Sequence, residues 1–350
     1  MKKYAINGRF IVRNLTGQER FAIETLSELD KIVEPNFIEL IIPQYTPSIR
    51  IPHYRNIKII KWGNVKSHFW EQIDFFWYLL IHRRTGVNLC TTCPIFKPDI
   101  NTIHDINQSV NKKSFTTLYG RMSSMWHGIM KYSTFHWAKK ILTVSKFSKS
   151  EIIRVFGVSP DKIYVLGNGW QHINRIQADE NIFKRYSSLK DKQYYFAASS
   201  LTPQKNFNWI IKAAYNNPQS FFAIAGKKVG LTENLSSEIP NNLLFLGYVT
   251  DGEMKALMQH CKAFIHPAIY EGFGIPPLEA LANGADVIVS RAACLPEIFR
   301  KSVHYIDPSN ANVNLDKLVC EKVEKASEVL NAYSWESNAI KLLDILKSLQ

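Results

Sequence analysis

Short apolar runs separated by helix-like segments are the feature that most constrains the fold of this chain. Six such runs recur in the second half of its 350 residues: Tyr194–Ala198, Phe221–Ala225, Leu243–Leu246, Ala263–His266, Asp286–Ser290 and Val303–Ile306. Helix-like segments lie between most of them: Phe207–Tyr215, Asp251–His260, Pro276–Asn283 and Pro296–Arg300. The run Phe221–Ala225 is apolar without alternation, as a strand buried on both faces should be. The pattern therefore predicts a parallel sheet covered by helices on both sides.

The first half repeats this pattern less regularly. Its strand candidates are Tyr4–Ile6, Phe37–Ile42, Ile57–Trp62, Asn101–Ile103, Ile141–Val144 and Ile163–Leu166, and its helix candidates are Gln18–Leu29 and Phe69–His82. The polar stretch 169–191 indicates a join, so we expect one Rossmann-like domain over 1–175 and a second over 176–333. An amphipathic helix over 334–350 could cross back to the first domain. The prediction is an α/β fold of two doubly wound domains that face each other across a cleft, where ligands bind at the strand C-termini.

The positive charge of the chain is concentrated in its first half. The net charge is +13, and residues 1–170 hold 24 Lys and Arg against 12 Asp and Glu, whereas residues 171–350 hold 19 against 18. This asymmetry favours an anionic partner for the first half, either nucleic acid or a membrane surface. A nucleic-acid-binding role would need one basic stripe, but the basic residues are scattered among helices and no nucleic-acid motif is present. A merely solvated basic face would give the same composition.

The cysteines and the N-terminal sequence indicate in which cellular compartment the protein is expected. The five cysteines include one CxxC, Cys90 and Cys93, with no second ligand pair at zinc-site spacing. We therefore expect no metal and read all five as reduced thiols. The first residues lack the apolar core of a signal peptide, and no run is long enough to cross a bilayer. These features predict a cytoplasmic protein.

Three loops at predicted strand ends could bind an anion. In Asn14–Gln18, Gly17 directly precedes a long helix, whose N-terminus favours phosphate. In Ser199–Asn206, Lys205 stands at the start of a helix. A capped turn or a solvated lysine would look the same in both loops, so each signal is weak alone.

The third loop, Glu271–Glu279, is the most informative. Glycines on both sides of a phenylalanine allow a sharp turn, and Pro276 and Pro277 suit the first turn of a helix. We expect Glu271 to project from the loop and Glu279 to lie in the first helical turn. Two carboxylates beside a helix N-terminus suit a ligand that carries both hydroxyl and phosphate groups.

Here the chain resembles a known family. Glu271 and Glu279 match the E-x7-E motif of the retaining glycosyltransferases of family GT4, which have the GT-B fold of two Rossmann-like domains. Further segments that resemble the family are Val144–Ser148, Asn168-Gly169 and Leu295–Glu297. The segments Ile6–Phe10 and Trp70–Gln72 resemble a branch that makes bacterial surface polysaccharides, such as capsule or exopolysaccharide.

The resemblance implies roles for individual residues. It makes His104, Lys205 and Glu271 catalytic: Glu271 binds the donor sugar, Lys205 neutralises the diphosphate, and His104 lies beside the sugar. The residues alone favour a structural histidine at position 104, and the family pattern favours the functional one. His266 is expected to be structural, and the case for His172 in the cleft is weak.

The resemblance also implies a donor site without metal or cofactor. Its residues are Gly17, Ser200, Lys205, Phe273, Gly274, Ile275 and Glu279, with Glu279 on the nucleotide ribose. The family has an arginine where this chain has Ser200. A serine supplies no charge, so phosphate binding would depend more heavily on Lys205 and on helix N-termini.

The implied function is retaining hexosyl transfer from a nucleotide diphosphate sugar to a glycan hydroxyl, on an acceptor linked to polyprenyl diphosphate. The basic first domain would meet the inner membrane surface. A sugar-nucleotide epimerase or hydrolase on the same scaffold, and a basic nucleic-acid-binding protein, are the alternatives. The aromatic and basic stretches 119–140 and 69–84 could rest on the membrane or be core helices with a basic outer face.

Overall fold

The computed structural model describes residues 3–111, 118–189, 191, 193–199, 202–226 and 239–349, and these form two compact units. The first unit is Met1–Gly169 together with Trp335–Gln350, and the second is Trp170–Ser334. The division falls between Gly169 and Trp170, whereas the sequence placed it after position 175.

The first unit is built on a seven-stranded sheet in which every neighbouring pair is parallel. Its strands are β1 (Tyr4–Asn7), β2 (Ile38–Ile42), β3 (Lys58–Lys61), β4 (Thr85–Asn88), β5 (Ile100–Thr102), β6 (Lys140–Thr143) and β7 (Ile163–Val165). Their order is β3-β2-β1-β4-β5-β6-β7. This is a doubly wound sheet, and its strand order reverses between β1 and β4, the place where such sheets bind ligands.

Strand β4 has no counterpart among the sequence-predicted strands. Its sequence contains Gly86, which breaks the apolar run that marks a buried strand. A Cβ at position 86 would lie 2.8 Å from Leu79 Cδ1, so the glycine permits close packing of the preceding helix on the strand. The N–H of Gly86 also donates to Asp99 Oδ2 at 2.9 Å.

Helices cover this sheet. They are α1 (Gly17–Ile32), α2 (Phe76–Ile81), α3 (Asn107–Val110), α4 (Leu118–Trp137) and α5 (Lys146–Phe156). The helix expected over Phe69–His82 is a π-helical segment, Glu71–Phe75, that runs directly into α2. Trp70, Phe75 and Leu79 are fully buried and pack on the sheet.

The second unit holds a six-stranded parallel sheet with the order β10-β9-β8-β11-β12-β13. Its strands are β8 (Tyr194–Ala198), β9 (Phe221–Ala225), β10 (Leu243–Gly247), β11 (Ala263–His266), β12 (Asp286–Ser290) and β13 (His304–Ile306). Each falls on one of the six predicted apolar runs. The order reverses between β8 and β11.

The helices of this unit are α6 (Asn181–Arg185), α7 (Phe207–Asn216), α8 (Asp251–His260), α9 (Ile275–Ala282), α10 (Leu295–Phe299), α11 (Leu315–Val319) and α12 (Ser327–Leu330). On one face of the sheet, Trp209 and Ile210 of α7 pack against Phe222 and Ile224 of β9. With its two sheets, the chain confirms the predicted α/β class of doubly wound domains.

The last helix, α13 (Trp335–Lys347), belongs to the first unit. Trp335 is buried and meets Phe21 of α1 edge-on, with ring centroids 6.4 Å apart. Asn338 Nδ2 donates to the carbonyl of Gly167 at 3.0 Å, and the hydroxyl of Tyr4 donates to the carbonyl of Leu346 at 2.5 Å. Across the described ranges, no helix combines the length and apolar character needed to cross a bilayer.

Candidate functional site

Lys205 and Glu271 meet at the point where the strand order of the second sheet reverses. Lys205 ends a short 3-10 helix after β8, and Glu271 follows β11, the neighbour of β8. Their side chains form an ion pair, and each is only 16% exposed. Two hydrogen bonds join the loops. The N–H of Ile269 donates to the carbonyl of Gln204 at 2.8 Å, and Asn206 Nδ2 donates to the carbonyl of Pro267 at 3.1 Å.

The carboxylate of Glu271 is ionised at neutral pH. Burial raises its pKa, but the charge of Lys205 and a hydrogen bond from His266 outweigh burial, and the pKa falls to about 2. His266 Nε2 lies 3.1 Å from Glu271 Oε2. Burial lowers the pKa of His266, so its ring is neutral and Nε2–H donates to the carboxylate. His266, expected to be structural, therefore also orients the central carboxylate.

Helix α9 begins beside this pair, and its start has unusual backbone chemistry. Gly274 precedes the helix at φ +95°, and a Cβ there would lie 3.0 Å from Leu295 Cδ2. Pro276 and Pro277 carry no N–H, so backbone donors at this helix start come from Gly274 and Ile275 rather than from a full first turn. Any phosphate bound here would depend on these N–H groups and on Lys205.

Phe273, the aromatic residue between the two glycines, is buried. Its ring meets Tyr333 edge-on with centroids 5.1 Å apart. Tyr333 stands just before the chain leaves the second unit. The packing fixes the backbone of the loop and leaves its peptide groups, rather than the phenyl ring, to meet a ligand.

Glu279 lies on α9, but not in its first turn as expected. It is the fifth residue of the helix, and its carboxylate Oε1 is 2.7 Å from Nε2 of His172. Helical side chains tilt towards the N-terminus, so Glu279 still points towards the end that carries Gly274. Support for His172 from the sequence was weak, and a separation of 107 residues left no pattern that could reveal this pair.

Gly17 is placed in the first unit, as the first residue of α1. The start of this helix carries a capping box: Thr16 N donates to Glu19 Oε2 at 3.1 Å, and Arg13 lies 3.1 Å from Glu19 Oε1. The carboxylate of Glu19 already supplies negative charge at this helix end. A phosphate at Gly17 would therefore compete with Glu19. The Thr-x-x-Glu pattern of this capping box is visible in the sequence.

His104 also lies in the first unit and follows β5. It is buried, its Nε2 donates to the carbonyl of Leu89 at 3.0 Å, and burial lowers its pKa. Its ring meets Phe21 edge-on at 5.0 Å. This is the geometry expected of a structural histidine, and the hydrogen bond uses one of the two ring nitrogens.

Ser200, the position that departs from the family, lies outside the described residues.

A buried polar network at the C-terminal end of β1 was not recognised from the sequence. Glu71 Oε1 accepts from Asn7 Nδ2 at 2.9 Å and from the hydroxyl of Thr92 at 2.7 Å, and it lies 3.2 Å from Arg9 Nε. Burial raises the pKa of Glu71, but bonding to His68 and the charge of Arg9 lower it to about 2. The network joins two segments that the resemblance had singled out separately, Ile6–Phe10 and Trp70–Gln72.

Cys90 and Cys93 are both buried. Burial raises the pKa of Cys93 to about 12, and its Sγ lies 3.7 Å from the hydroxyl of Thr134. Within the described part of the chain, no group of three or more His, Cys, Asp or Glu residues could hold a metal ion.

Comparison with known proteins places the second unit in a family. Residues 178–326 match the family model described as glycosyl transferases group 1. An uncharacterized glycosyltransferase of Methanocaldococcus jannaschii is 27% identical over 286 residues, which are 75% of this chain and 72% of the relative. The O-antigen chain mannosyltransferase RfbU of Salmonella typhimurium is 28% identical over 232 residues, 63% of this chain but only 61% of the relative.

Solved structures share the fold over the whole chain. Sucrose-phosphate synthase from Thermosynechococcus elongatus gives a TM-score of 0.73 at 14% identity and covers 100% of this chain and 99% of its own. HepE of Anabaena, solved with UDP and glucose, gives 0.68 at 15% identity and covers 99% and 100%. The predicted GT-B fold is therefore confirmed.

Proposed function

We propose that this chain, a group 1 glycosyltransferase with the GT-B fold, moves a hexosyl group from a nucleotide diphosphate sugar to a glycan hydroxyl with retention of configuration. The observation that carries the proposal is the meeting of Lys205 and Glu271 beside the start of α9. A cation, an ionised carboxylate and the backbone N–H groups of Gly274 and Ile275 converge there. A nucleotide diphosphate sugar requires all three.

The second unit would act mainly through electrostatics. As the bond between the anomeric carbon and the diphosphate breaks, negative charge grows on the departing phosphate and the sugar becomes oxocarbenium-like. The Lys205 ammonium and the N–H groups of Gly274 and Ile275 would stabilise that charge. The acceptor oxygen would attack from the same face and give its proton to the leaving phosphate. We propose that no metal is required, because the protein itself supplies positive charge.

Glu271 would recognise the donor sugar. With a pKa of about 2 it accepts hydrogen bonds at any physiological pH, and His266 holds it in place. In the donor complex, Lys205 would turn from Glu271 towards the diphosphate while keeping electrostatic contact with the carboxylate. His104 and Gly17 would act from the first unit, His104 near the sugar.

The relatives support a hexose donor and a surface glycan as acceptor. RfbU is named an O-antigen chain mannosyltransferase, which favours a mannosyl donor, whereas HepE was solved with UDP and glucose. We propose surface-polysaccharide synthesis as the process. A nucleic-acid-binding role gains nothing from these relatives.

The first unit has a surface suited to a membrane-bound acceptor. Four large apolar side chains spaced four residues apart are exposed along one helical face: Phe69, Ile73, Trp77 and Ile81. Met125, Ile129 and Tyr132 of α4 are exposed in the same way. Lys66 and Arg83 are exposed at the two ends of the first face. An apolar face with flanking cations fits the anionic inner surface of a cell membrane, where a polyprenyl-diphosphate-linked glycan would be presented.

Turnover by the purified protein tests the proposal. Release of nucleotide diphosphate would be followed from GDP-mannose, UDP-glucose and UDP-N-acetylglucosamine, with and without a polyprenyl-diphosphate-linked acceptor. We expect one donor to be consumed only when the acceptor is present, and the new bond to keep the donor configuration. Consumption without acceptor, or an altered free sugar, would establish the hydrolase or epimerase alternative.

Two matched pairs of variants connect the activity to the site. Lys205→Ala and Glu271→Gln should each lower kcat/KM at least a hundredfold, the loss seen when a group that stabilises charge in a transition state is removed. Lys262 and Asp316 form an exposed ion pair in the same unit, and Lys262 precedes β11, at the opposite edge of the sheet. Lys262→Ala and Asp316→Asn should leave turnover unchanged. Equal effects of both pairs would refute the assignment.

A further inference from the structure

We infer that His172 is a positioning residue that fixes the carboxylate of Glu279 for recognition of the nucleotide ribose. His172 Nε2 lies 2.7 Å from Glu279 Oε1, and the two side chains are 2% and 12% exposed. A carboxylate oxygen only accepts, so Nε2–H is the donor. The inference rests on the proposed function, in which Glu279 binds ribose hydroxyls.

The two residues just before His172 anchor its backbone segment to the end of the second unit. Trp170 Nε1 donates to the carbonyl of Leu330 at 3.0 Å, and Gln171 Nε2 donates to the carbonyl of Tyr333 at 3.1 Å. Both acceptors belong to the last residues of the unit before the chain leaves it. These bonds fix the backbone immediately before His172.

A lysine of α8 anchors the same segment after His172. Lys255 Nζ donates to the carbonyls of Ile173 and Ile176, at 2.9 and 2.8 Å. The imidazole therefore projects from a backbone that is bonded on both sides of it. A ring held in this way can impose an orientation on its partner rather than follow it.

A fixed orientation matters because Glu279 stands on a helix surface with three rotatable side-chain bonds. A free carboxylate would have to give up several rotamers when it binds a diol, whereas a charge-assisted hydrogen bond selects one beforehand. The part of Glu279 that remains exposed would then face the ligand in a single arrangement. Glu271 is oriented by His266 in the same manner, so each carboxylate of the motif has a buried histidine behind it.

Nucleotide binding with and without ribose hydroxyls tests this role. Calorimetry would measure the Kd of UDP and GDP and of their 2′,3′-dideoxy forms for the wild type, His172→Leu and His172→Gln. His172→Leu should weaken binding of the preferred ribonucleotide about tenfold, the scale of one lost hydrogen bond to a charged group, and change binding of the dideoxy form less than twofold. His172→Gln, whose amide reaches the place of Nε2, should restore most of the loss.

His304 on β13 is the control, since it is also a buried histidine of this unit. His304→Leu should leave the ratio of ribonucleotide to dideoxynucleotide affinity unchanged. If His172→Leu weakens both forms equally, or neither, or if His172→Gln rescues nothing, the positioning role is wrong.

The same titrations distinguish a failure of the positioning role of His172 from a failure of the proposed donor site. If the wild-type chain binds neither diphosphate, the donor assignment fails and this inference fails with it. If the wild type binds and Glu279→Ala removes the preference for ribose while His172→Leu does not, the donor assignment stands and only the role of His172 is refuted.

Discussion

Replacing Lys205 by methionine should destabilise the second unit in a pH-dependent way. Methionine keeps the length and apolar character of the lysine stem but leaves the Glu271 carboxylate buried without its cation. Removing one partner of a buried pair leaves an uncompensated charge, which is costly. His266 would remain as a hydrogen-bond donor to the carboxylate, so part of the stabilisation should persist.

The magnitude follows from the pKa of Glu271, which burial raises and Lys205, as the largest opposing influence, lowers from 4.5 to about 2. Each pH unit by which a pKa falls corresponds to about 1.4 kcal/mol, so the net shift, which already includes the cost of burial, corresponds to about 3 kcal/mol at neutral pH. We assign about 2 kcal/mol of that to Lys205. Because the folded pKa is depressed, this stability is complete above about pH 4.5 and is lost as the pH falls towards about 2.

Urea unfolding followed by tryptophan fluorescence at pH 7 and pH 3 would measure the effect. Lys205→Met should cost about 2 kcal/mol at pH 7 and distinctly less at pH 3, where Glu271 begins to be protonated. The control Lys262→Met breaks an exposed pair and should cost less than about 1 kcal/mol at either pH. A cost for Lys205→Met that equals the control, or that does not change with pH, would show that Lys205 does not stabilise the buried carboxylate of Glu271.

Three further outcomes are expected. Gly274→Ala should lower the free energy of unfolding by about 1–2 kcal/mol and weaken nucleotide binding, because φ is +95° and the new Cβ would lie 3.0 Å from Leu295. An unchanged free energy of unfolding and an unchanged Kd, both measured by calorimetry, would contradict this. Trp77→Ser together with Ile81→Ser should lower co-sedimentation with phosphatidylglycerol vesicles at least fivefold, an effect absent if that face does not meet lipid. A thiol reagent such as DTNB should titrate Cys320 first in the folded protein, since the other four cysteines are buried, and a second rapid thiol would count against the packing described.

The fold could be predicted to the extent that strands are apolar without interruption. All six strands of the second sheet coincide with apolar runs, because a strand buried on both faces has few polar positions. Strand β4 was missed for the opposite reason: Gly86 is required by the packing of Leu79, and that contact between a helix and a strand leaves no periodic signal.

The candidate site could be predicted in part. Lys205 and Glu271 follow two strands that the doubly wound order makes neighbours, so their meeting is a consequence of topology. The pair His172 and Glu279 depends on how the connecting segment folds onto α9, which no local pattern records. The Thr16–Glu19 capping box could have been predicted from the sequence, and it weakens the case for phosphate binding at Gly17.

A crystal structure with an intact nucleotide diphosphate sugar would show directly whether Lys205, Glu271 and Glu279 bind the donor. We expect the diphosphate to lie within roughly 3 Å of Lys205 Nζ and of the N–H groups at Gly274, with the sugar hydroxyls on Glu271 and the ribose on Glu279. A donor bound elsewhere, or bound with Lys205 still paired to Glu271 and out of reach of the phosphates, would contradict it.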